Sequence, residues 1–461
     1  MKDLTQGNEA KLIFSFTMPM LIGNVFQQSY SVVDSMIVGR ILGKTALAAV
    51  GASFPILFLV VALLIGVTIG FSVLISQYFG AKDMAGVRRT VDTAYVLIFF
   101  GSIIMTAAGL LLTGPILRMI STPAEIMPQA ALFLRILFSG MVFMFGYNAI
   151  SAILRGLGDS KTPLYFIMFS TALNAFLVMF FVMVCHWGIA GSAFATVLAT
   201  ASSFIAGIVY LRRHHEMLRP RLHGLEFDWA IFKKSLAIGL PAGIQQMLVA
   251  MGMMAVTRIV NGFGTDAIAA FTAAGRMDTF AVMPAMNLSA AISTFTGQNI
   301  GAGKMERVHN GLKVSMAMGT VISLATSAVM LLFGRQLMGF FTPDEAVIAI
   351  GWHYLAIVGG FYMVFSAMFV MGGVLRGAGD TLVPMLFSVL SLWLIRIPIA
   401  AWLSKSMGTD GIWWSSPVSW MVGLALTVIY YRAGRWKNRS MAGKPPVEEN
   451  EDEPEWNCSN F

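Results

Sequence analysis

Charge is what this chain has least of: only 12% of its 461 residues are Asp, Glu, Lys or Arg, against roughly 25% in a soluble globular protein. With 57% hydrophobic residues and a mean hydropathy of +0.74, it cannot meet water on all sides and must live in lipid. Cysteine is nearly absent. Cys185 and Cys458 are the only two, and the topology derived below puts them on opposite sides of the membrane, which excludes a disulfide framework. The six histidines are scattered over linkers, loops and helix ends, with no acid-and-His cluster at metal spacing. No Gly-x-Ser-x-Gly elbow is present. Gly39-Arg-Ile-Leu-Gly-Lys-Thr45 resembles a phosphate loop but has three residues between its glycines, and Val38 stands where the earlier glycine would be. We therefore expect no enzyme, no ATP site and no cofactor. The N-terminus also lacks a short apolar core with a small-residue cleavage site, so the first span is expected to be retained.

What the chain has is duplication. Gln77-Tyr-Phe-Gly-Ala-Lys-Asp-Met84 returns as Gln298-Asn-Ile-Gly-Ala-Gly-Lys-Met305, and Leu154-Arg-Gly-Leu-Gly-Asp159 returns as Leu375-Arg-Gly-Ala-Gly-Asp380, both 221 positions on. Chance does not keep one offset across two separate loops. The period is far too long for a solenoid unit, so a whole half-protein is repeated. A helix needs about 20 apolar residues to cross a bilayer, and twelve stretches qualify. They begin near Ile13, Ala46, Val91, Gln129, Leu164 and Gly188 in the first half, and near Ser235, Ala267, Leu312, Trp352, Pro384 and Gly411 in the second. An even number of crossings per half returns the chain to its starting side, so the two repeats are parallel copies about an axis along the membrane normal. The fold class is an all-α membrane protein of two six-helix lobes. Residues 1–211 form the first lobe, 212–234 a cytoplasmic linker, 235–432 the second lobe, and 433–461 a polar, acidic tail expected to be disordered. Within the linker, Leu225 to Lys234 mixes apolar and charged residues in the manner of an interfacial helix.

With a cytoplasmic N-terminus, the inner loops and tails hold 22 of the 31 Lys and Arg and the outer loops hold 6, as the positive-inside rule requires. The net charge of +8 orients the chain against an anionic leaflet and calls for no nucleic-acid partner. Both duplicated motifs then lie on cytoplasmic loops. Their first reading is as tight helix connections, with Asp159 and Asp380 capping the next helix or pairing with Arg155 and Arg376; their second is a share in closing the inner gate.

Of the 23 acidic residues only Asp34 and Asp278 sit well inside a span, where a carboxylate costs about 2.5–3.5 kcal/mol and marks function by default. Asn24, Gln27, Ser31 and Asp34 follow spacings of 3, 4 and 3, one stripe of the first helix. Ser192, Thr196, Thr200 and Ser203 repeat the device in the sixth, and the fifth offers Ser170, Thr171 and Asn174. These read as walls of one polar pocket. The second half has Gln245, Gln246 and Asn287 and no acid aligned to Asp34, so the ion-coupling charge resides in one lobe. Desolvation favours a protonated Asp34 and a bound Na⁺ favours a charged one; either way it exchanges a cation. The competing reading is a helix–helix clamp. Asp278 and Arg276 are a possible secondary charge site, although positions i and i+2 share no helix face. Arg396 lies in the eleventh helix, with Pro398 loosening the backbone behind it. Pro19 and Pro241 permit bends in helices one and seven. With 33 Met and 34 Phe, the apolar surface suits a pliable cavity.

Taken together, the twelve spans in two sixes, the repeated Gln-x-x-Gly-Ala and Leu-Arg-Gly-x-Gly-Asp motifs, and Met283-Pro-Ala-Met-Asn287 resemble the multidrug and toxic compound extrusion (MATE) transporters as far as about Arg439. The lone acid Asp34 is similar to the branch that includes the DinF-like members. That branch uses an aspartate in helix one, an Asn-x-x-x-Asp pair in helix five and a Thr in helix six around a cation. Asp34, Asn174 and Thr196 match these positions, and Val178 replaces the second aspartate. A hard cation wants several oxygens, so the departure favours H⁺ over Na⁺. The resemblance implies export of amphipathic, often cationic organic compounds by alternating access, from a monomer in the cytoplasmic (inner) membrane with both termini inside. The alternatives are a flippase for a lipid-linked precursor and a non-transporting membrane protein.

Overall fold

The computed structural model describes residues 2–120, 122–214 and 226–439, without the side chains of residues 30–36, 44 and 438. Among these residues the chain is helical throughout. The first half runs α1 (Glu9–Ile37), α2 (Lys44–Gly80), α3 (Met84–Met119), α4 (Met127–Ser139), α5 (Met141–Gly156), α6 (Lys161–Met179) and α7 (Gly188–His214). The second repeats the order as α8 (Trp229–Asn261), α9 (Thr265–Gly301), α10 (Met305–Gly339), α11 (Glu345–Gly359), α12 (Tyr362–Gly377), α13 (Leu382–Val389), α14 (Ile397–Met407) and α15 (Thr409–Ala433). Eight crossings are long and apolar enough by themselves, and α4–α5 and α11–α12 are two more, bent by 51° and 49°. The remaining two are α1 and α9, the helices that carry the polar stripe and Arg276 with Asp278.

The repeat is visible in the backbone. Gly43 and Gly264 share φ values of +82° and +91°, Lys82 and Gly303 of +58° and +70°, and Gly158 and Gly379 of +81° and +93°. Among the described residues three π-helical stretches interrupt the spans: Val38–Leu42 after α1, Phe180–Val184 after α6 and Leu390–Arg396 between α13 and α14. The last precedes Pro398, whose missing N–H frees a carbonyl one turn back.

Each lobe has its own apolar core. Phe133, Leu134, Phe138 and Phe145 centre the first, and Tyr354, Tyr362, Trp413 and Trp420 the second. Between the lobes α2 packs on α8 and α9, and α1 packs on α9 and α10. The duplicated motifs from opposite lobes cross at one end. Gln77 Nε2 donates to the Gly377 carbonyl at 3.0 Å, and Gln298 Nε2 donates to the Gly156 carbonyl at 3.1 Å, both side chains being fully buried. The backbones meet so closely that a Cβ on Gly80 would collide with the Gln298 carbonyl, and one on Gly301 with the Gln77 carbonyl. The paired aspartates diverge. Asp159 Oδ1 caps α6 by accepting from the Lys161 and Thr162 N–H groups at 3.0 Å, whereas Asp380 receives the Tyr430 hydroxyl. The motif arginine Arg376 turns elsewhere, its Nη2 donating to Ser289 Oγ at 2.5 Å.

Two expectations need correction. Residues 229–234, read as part of an interfacial helix, are the first turns of α8 itself, capped by Asp228, which accepts from Ala230 N–H at 2.8 Å. Past the expected lobe end at residue 432, Arg435–Asn438 form a 3-10 turn that buries Trp436 completely, its indole donating to the Tyr431 carbonyl at 2.9 Å. An indole with an internal acceptor has no reason to stay in a polar tail. Linker residues 215–225 and tail residues 440–461 lie outside the described residues.

Candidate functional site

Helices α6 and α7 pack on each other and α1 packs on α6. Asn174 projects from α6 into this contact with 3% of its surface exposed, and its Nδ2 donates to Thr196 Oγ1 on α7 at 3.3 Å. Thr196 in turn donates to the Ser192 carbonyl at 3.1 Å, and Thr200 to the Thr196 carbonyl at 2.8 Å. These back-bonds dispose of the hydroxyl protons and leave oxygen lone pairs facing the contact. Asn174 Oδ1 is buried and accepts no hydrogen bond among the described residues. A buried amide oxygen without a donor costs about 1–3 kcal/mol, and such an acceptor can take a proton or a cation.

One turn away the wall is apolar. Val178 is fully buried with Val182 and Ala195, and Ile37, Leu177 and Phe181 pack around them. Ile37, the last residue of α1, is the point at which that helix meets this apolar wall. The side chains of Asp34 and Ser31 lie outside the described residues. Val178 offers no oxygen, and the described donors for a cation are the Asn174 amide and the Thr196 hydroxyl. A hard cation wants six or so oxygens, more than these two side chains supply.

The other polar residues of the sequence reading separate. Asn24 does not join the first-lobe wall: its Nδ2 donates to Asn287 Oδ1 on α9 at 2.8 Å, across the lobe boundary, and Asn287 Nδ2 donates to the Met283 carbonyl at 2.9 Å. Gln27 is exposed on the same side of α1, and Ser192 is fully buried. Ser203 Oγ donates to the Phe166 carbonyl at 2.9 Å and serves packing. In the second lobe Gln245 Nε2 donates to Ser388 Oγ on α13 at 2.6 Å, while Gln246 is half-buried.

Asp278 and Arg276 take different surroundings, Arg276 being exposed. Asp278 Oδ1 accepts the Tyr362 hydroxyl from α12 at 2.8 Å, and Tyr354 and Arg396 stand in electrostatic reach. Arg396 Nη1 meets the Met253 sulfur at 3.3 Å and its buried Nε has no acceptor among the described residues. Neither tyrosine was legible beforehand, because a phenol among aromatic core residues carries no spacing signal until α11 and α12 are placed beside α9. No group of three or more His, Cys, Asp or Glu able to hold a metal occurs among the described residues.

Comparison with known proteins gives one answer. The MatE family model matches residues 19–180 and again 241–402, each match opening on the in-helix proline of its half. The probable multidrug resistance protein YpnP of Bacillus subtilis is 35% identical over 94% of this chain and 97% of its own length. YoeA of the same organism, also named a probable multidrug resistance protein, is 32% identical over 92% and 94%. The NorM protein of Thermotoga maritima is 27% identical over 95% and 96%. Among solved structures, an outward-facing multidrug resistance MATE family transporter superposes with a TM-score of 0.89 at 22% identity, covering 94% of this chain and 98% of that one. A MOP superfamily transporter from Pyrococcus furiosus gives 0.87 at 23%, over 94% and 97%. The structures establish the twelve-helix, two-lobe fold, and the sequence matches establish that this chain belongs to the MatE family of multidrug transporters.

Proposed function

We propose that the protein is a proton-driven antiporter that exports amphipathic, often cationic organic compounds, with Asp34, Asn174 and Thr196 as its coupling site. What supports this reading is the buried Oδ1 of Asn174, which accepts no hydrogen bond among the described residues, on a helix that packs against α1. In a family of multidrug transporters, a buried acceptor on a helix that packs against the one bearing an intramembrane acid is a place for a transient proton or cation. Val178, apolar and fully buried, thins the oxygen shell and favours H⁺.

Coupling follows by linkage. Proton and organic solute need only favour different conformations for each to lower the other's occupancy. One charge crossing the potential is worth about 2.3 kcal/mol per 100 mV, to which the pH gradient adds. The conformer described here is shut at the end where Gln77 and Gln298 cross; the positive-inside count assigns that end to the cytoplasm, with both termini on the same side. Both lobes and the whole coupling site belong to one chain, so a monomer in the cytoplasmic membrane suffices. The test is dye efflux from proteoliposomes under an imposed pH gradient, with a Na⁺ gradient as the alternative driving force. Efflux with the first alone supports the reading; efflux with the second alone replaces H⁺ by Na⁺.

A further inference from the structure

Residues 2–8, ahead of α1, cross the end of the molecule where the duplicated motifs meet. The Lys2 N–H donates to the Leu157 carbonyl of the first lobe at 3.1 Å. Its own carbonyl lies against Gly158, where a Cβ would collide with it. Two residues on, the chain is held by the second lobe. Leu4 N–H donates to Gln298 Oε1 at 2.9 Å, and Asn299 Nδ2 returns a bond to the Leu4 carbonyl at 3.2 Å. Lys304 Nζ donates to the Thr5 carbonyl at 3.0 Å and Arg307 Nη2 to the Gly7 carbonyl at 2.9 Å. Arg307 is itself fixed, its Nε donating to Asn299 Oδ1 at 3.1 Å and its Nη1 pairing with Glu9 at 3.1 Å. The Leu4 side chain is fully buried beside Leu288, Ile292 and Phe295.

Duplication shows that these donors are not part of the helix connection. Asn299, Lys304 and Arg307 occupy the register positions of Tyr78, Asp83 and Gly86 in the first half. The first copy makes the same turn without any of them. Only the copy that receives residues 2–8 carries side chains that answer the carbonyls of Leu4, Thr5 and Gly7. Gln298 joins the two functions, holding Gly156 of the opposite lobe with its Nε2 and Leu4 with its Oε1.

We propose that the Gln298–Arg307 loop is a peptide-binding site whose ligand is the chain's own Lys2–Asn8 segment, and that this strap must leave it before the lobes part at the cytoplasmic end. The inference rests on the alternating-access reading above. Because the strap leads directly into α1, its release also frees the helix that bears Asp34.

Ser76 supplies the reporter. It is fully buried between α2 and α9, against Gly297 and beneath the Gln77 and Gln298 crossing. Inside-out vesicles would carry Ser76→Cys with Cys185→Ser and Cys458→Ser, and the labelling rate by a membrane-impermeant maleimide would be read. Deleting residues 2–7, which keeps the Asn8 cap on Lys11 N–H at 3.0 Å, is expected to speed labelling by at least about tenfold, the change that follows from losing even one of the two bonds to the charged donors Lys304 and Arg307. Lys304→Ala with Arg307→Ala, which keeps the strap and covers the case of a deletion that fails to insert, should do the same. Since an attached segment acts at roughly millimolar effective concentration, millimolar Lys-Asp-Leu-Thr-Gln-Gly-Asn peptide should restore protection to the deletion. Parental labelling rates in both variants, or a peptide without effect, would overturn the proposal. Labelling is read whether or not a dye is moved, so a parental protein that fails to transport would sink the antiport reading and leave the strap to be judged on its own result.

Discussion

Asn174→Leu separates a coupling ligand from a structural clamp. Among the described residues the parental amide makes one hydrogen bond, at the long distance of 3.3 Å, and leaves Oδ1 without a donor. The bond contributes about 0.5–1 kcal/mol and the orphan oxygen costs about 1–3 kcal/mol. Leucine has the same branching at Cγ and removes both, and Thr196 keeps its bond to the Ser192 carbonyl. Its two methyl groups are bulkier than the amide, and overpacking takes back about 1 kcal/mol. The sum lies within about 1 kcal/mol of zero, so the melting temperature in detergent should move by no more than about 2 °C. Transport should behave otherwise. Loss of one ligand to the driving ion should lower proton-driven dye efflux per folded molecule by about tenfold, equivalent to about 1.4 kcal/mol. The pair of measurements is a melt followed by tryptophan fluorescence and efflux from proteoliposomes with matched protein content. A variant that melts several degrees lower yet transports at the parental specific rate would show that Asn174 is helix–helix glue, and the reasoning would be refuted.

Gly80→Val places a branched side chain against the Gln298 carbonyl of the other lobe. At about 1–3 kcal/mol of overpacking it should hold the crossing open, read as faster cytoplasmic-side labelling of the Ser76→Cys reporter. Tyr362→Phe removes the 2.8 Å donor to Asp278 and should cost about 1.5–3 kcal/mol, visible as a lower melting temperature, while the driving ion stays the same. In proteoliposomes, a Na⁺ gradient at equal pH on both sides should drive no efflux, because Val178 leaves the cation short of oxygens.

The two-lobe plan was legible because a membrane helix must satisfy its whole backbone and carry about 20 apolar residues, and because the 221-residue register survives in loops where turn geometry tolerates few residue types. Asn174 and Thr196 were legible as polar-stripe residues in otherwise apolar helices, but the 3.3 Å bond between them was not. Cross-lobe partners were not. The Gln77 and Gln298 motifs read first as local turns, yet each glutamine donates to a carbonyl of the other half. Periodicity reports which face of a helix is polar and nothing about which helix it meets. Asn24 illustrates the limit: it belongs to the Asp34 stripe by spacing but bonds across the boundary to Asn287. The strap was invisible for a different reason. Its bonds use the carbonyls of Leu4, Thr5 and Gly7, and backbone acceptors leave no trace in composition.

The most direct measurement is proton-driven efflux by the Asp34→Asn protein. Reconstituted in the same orientation and amount as the parent, it should still bind dye but fail to export it when a pH gradient is imposed. Export at the parental rate under that gradient would contradict the assignment of coupling to the Asp34, Asn174 and Thr196 site.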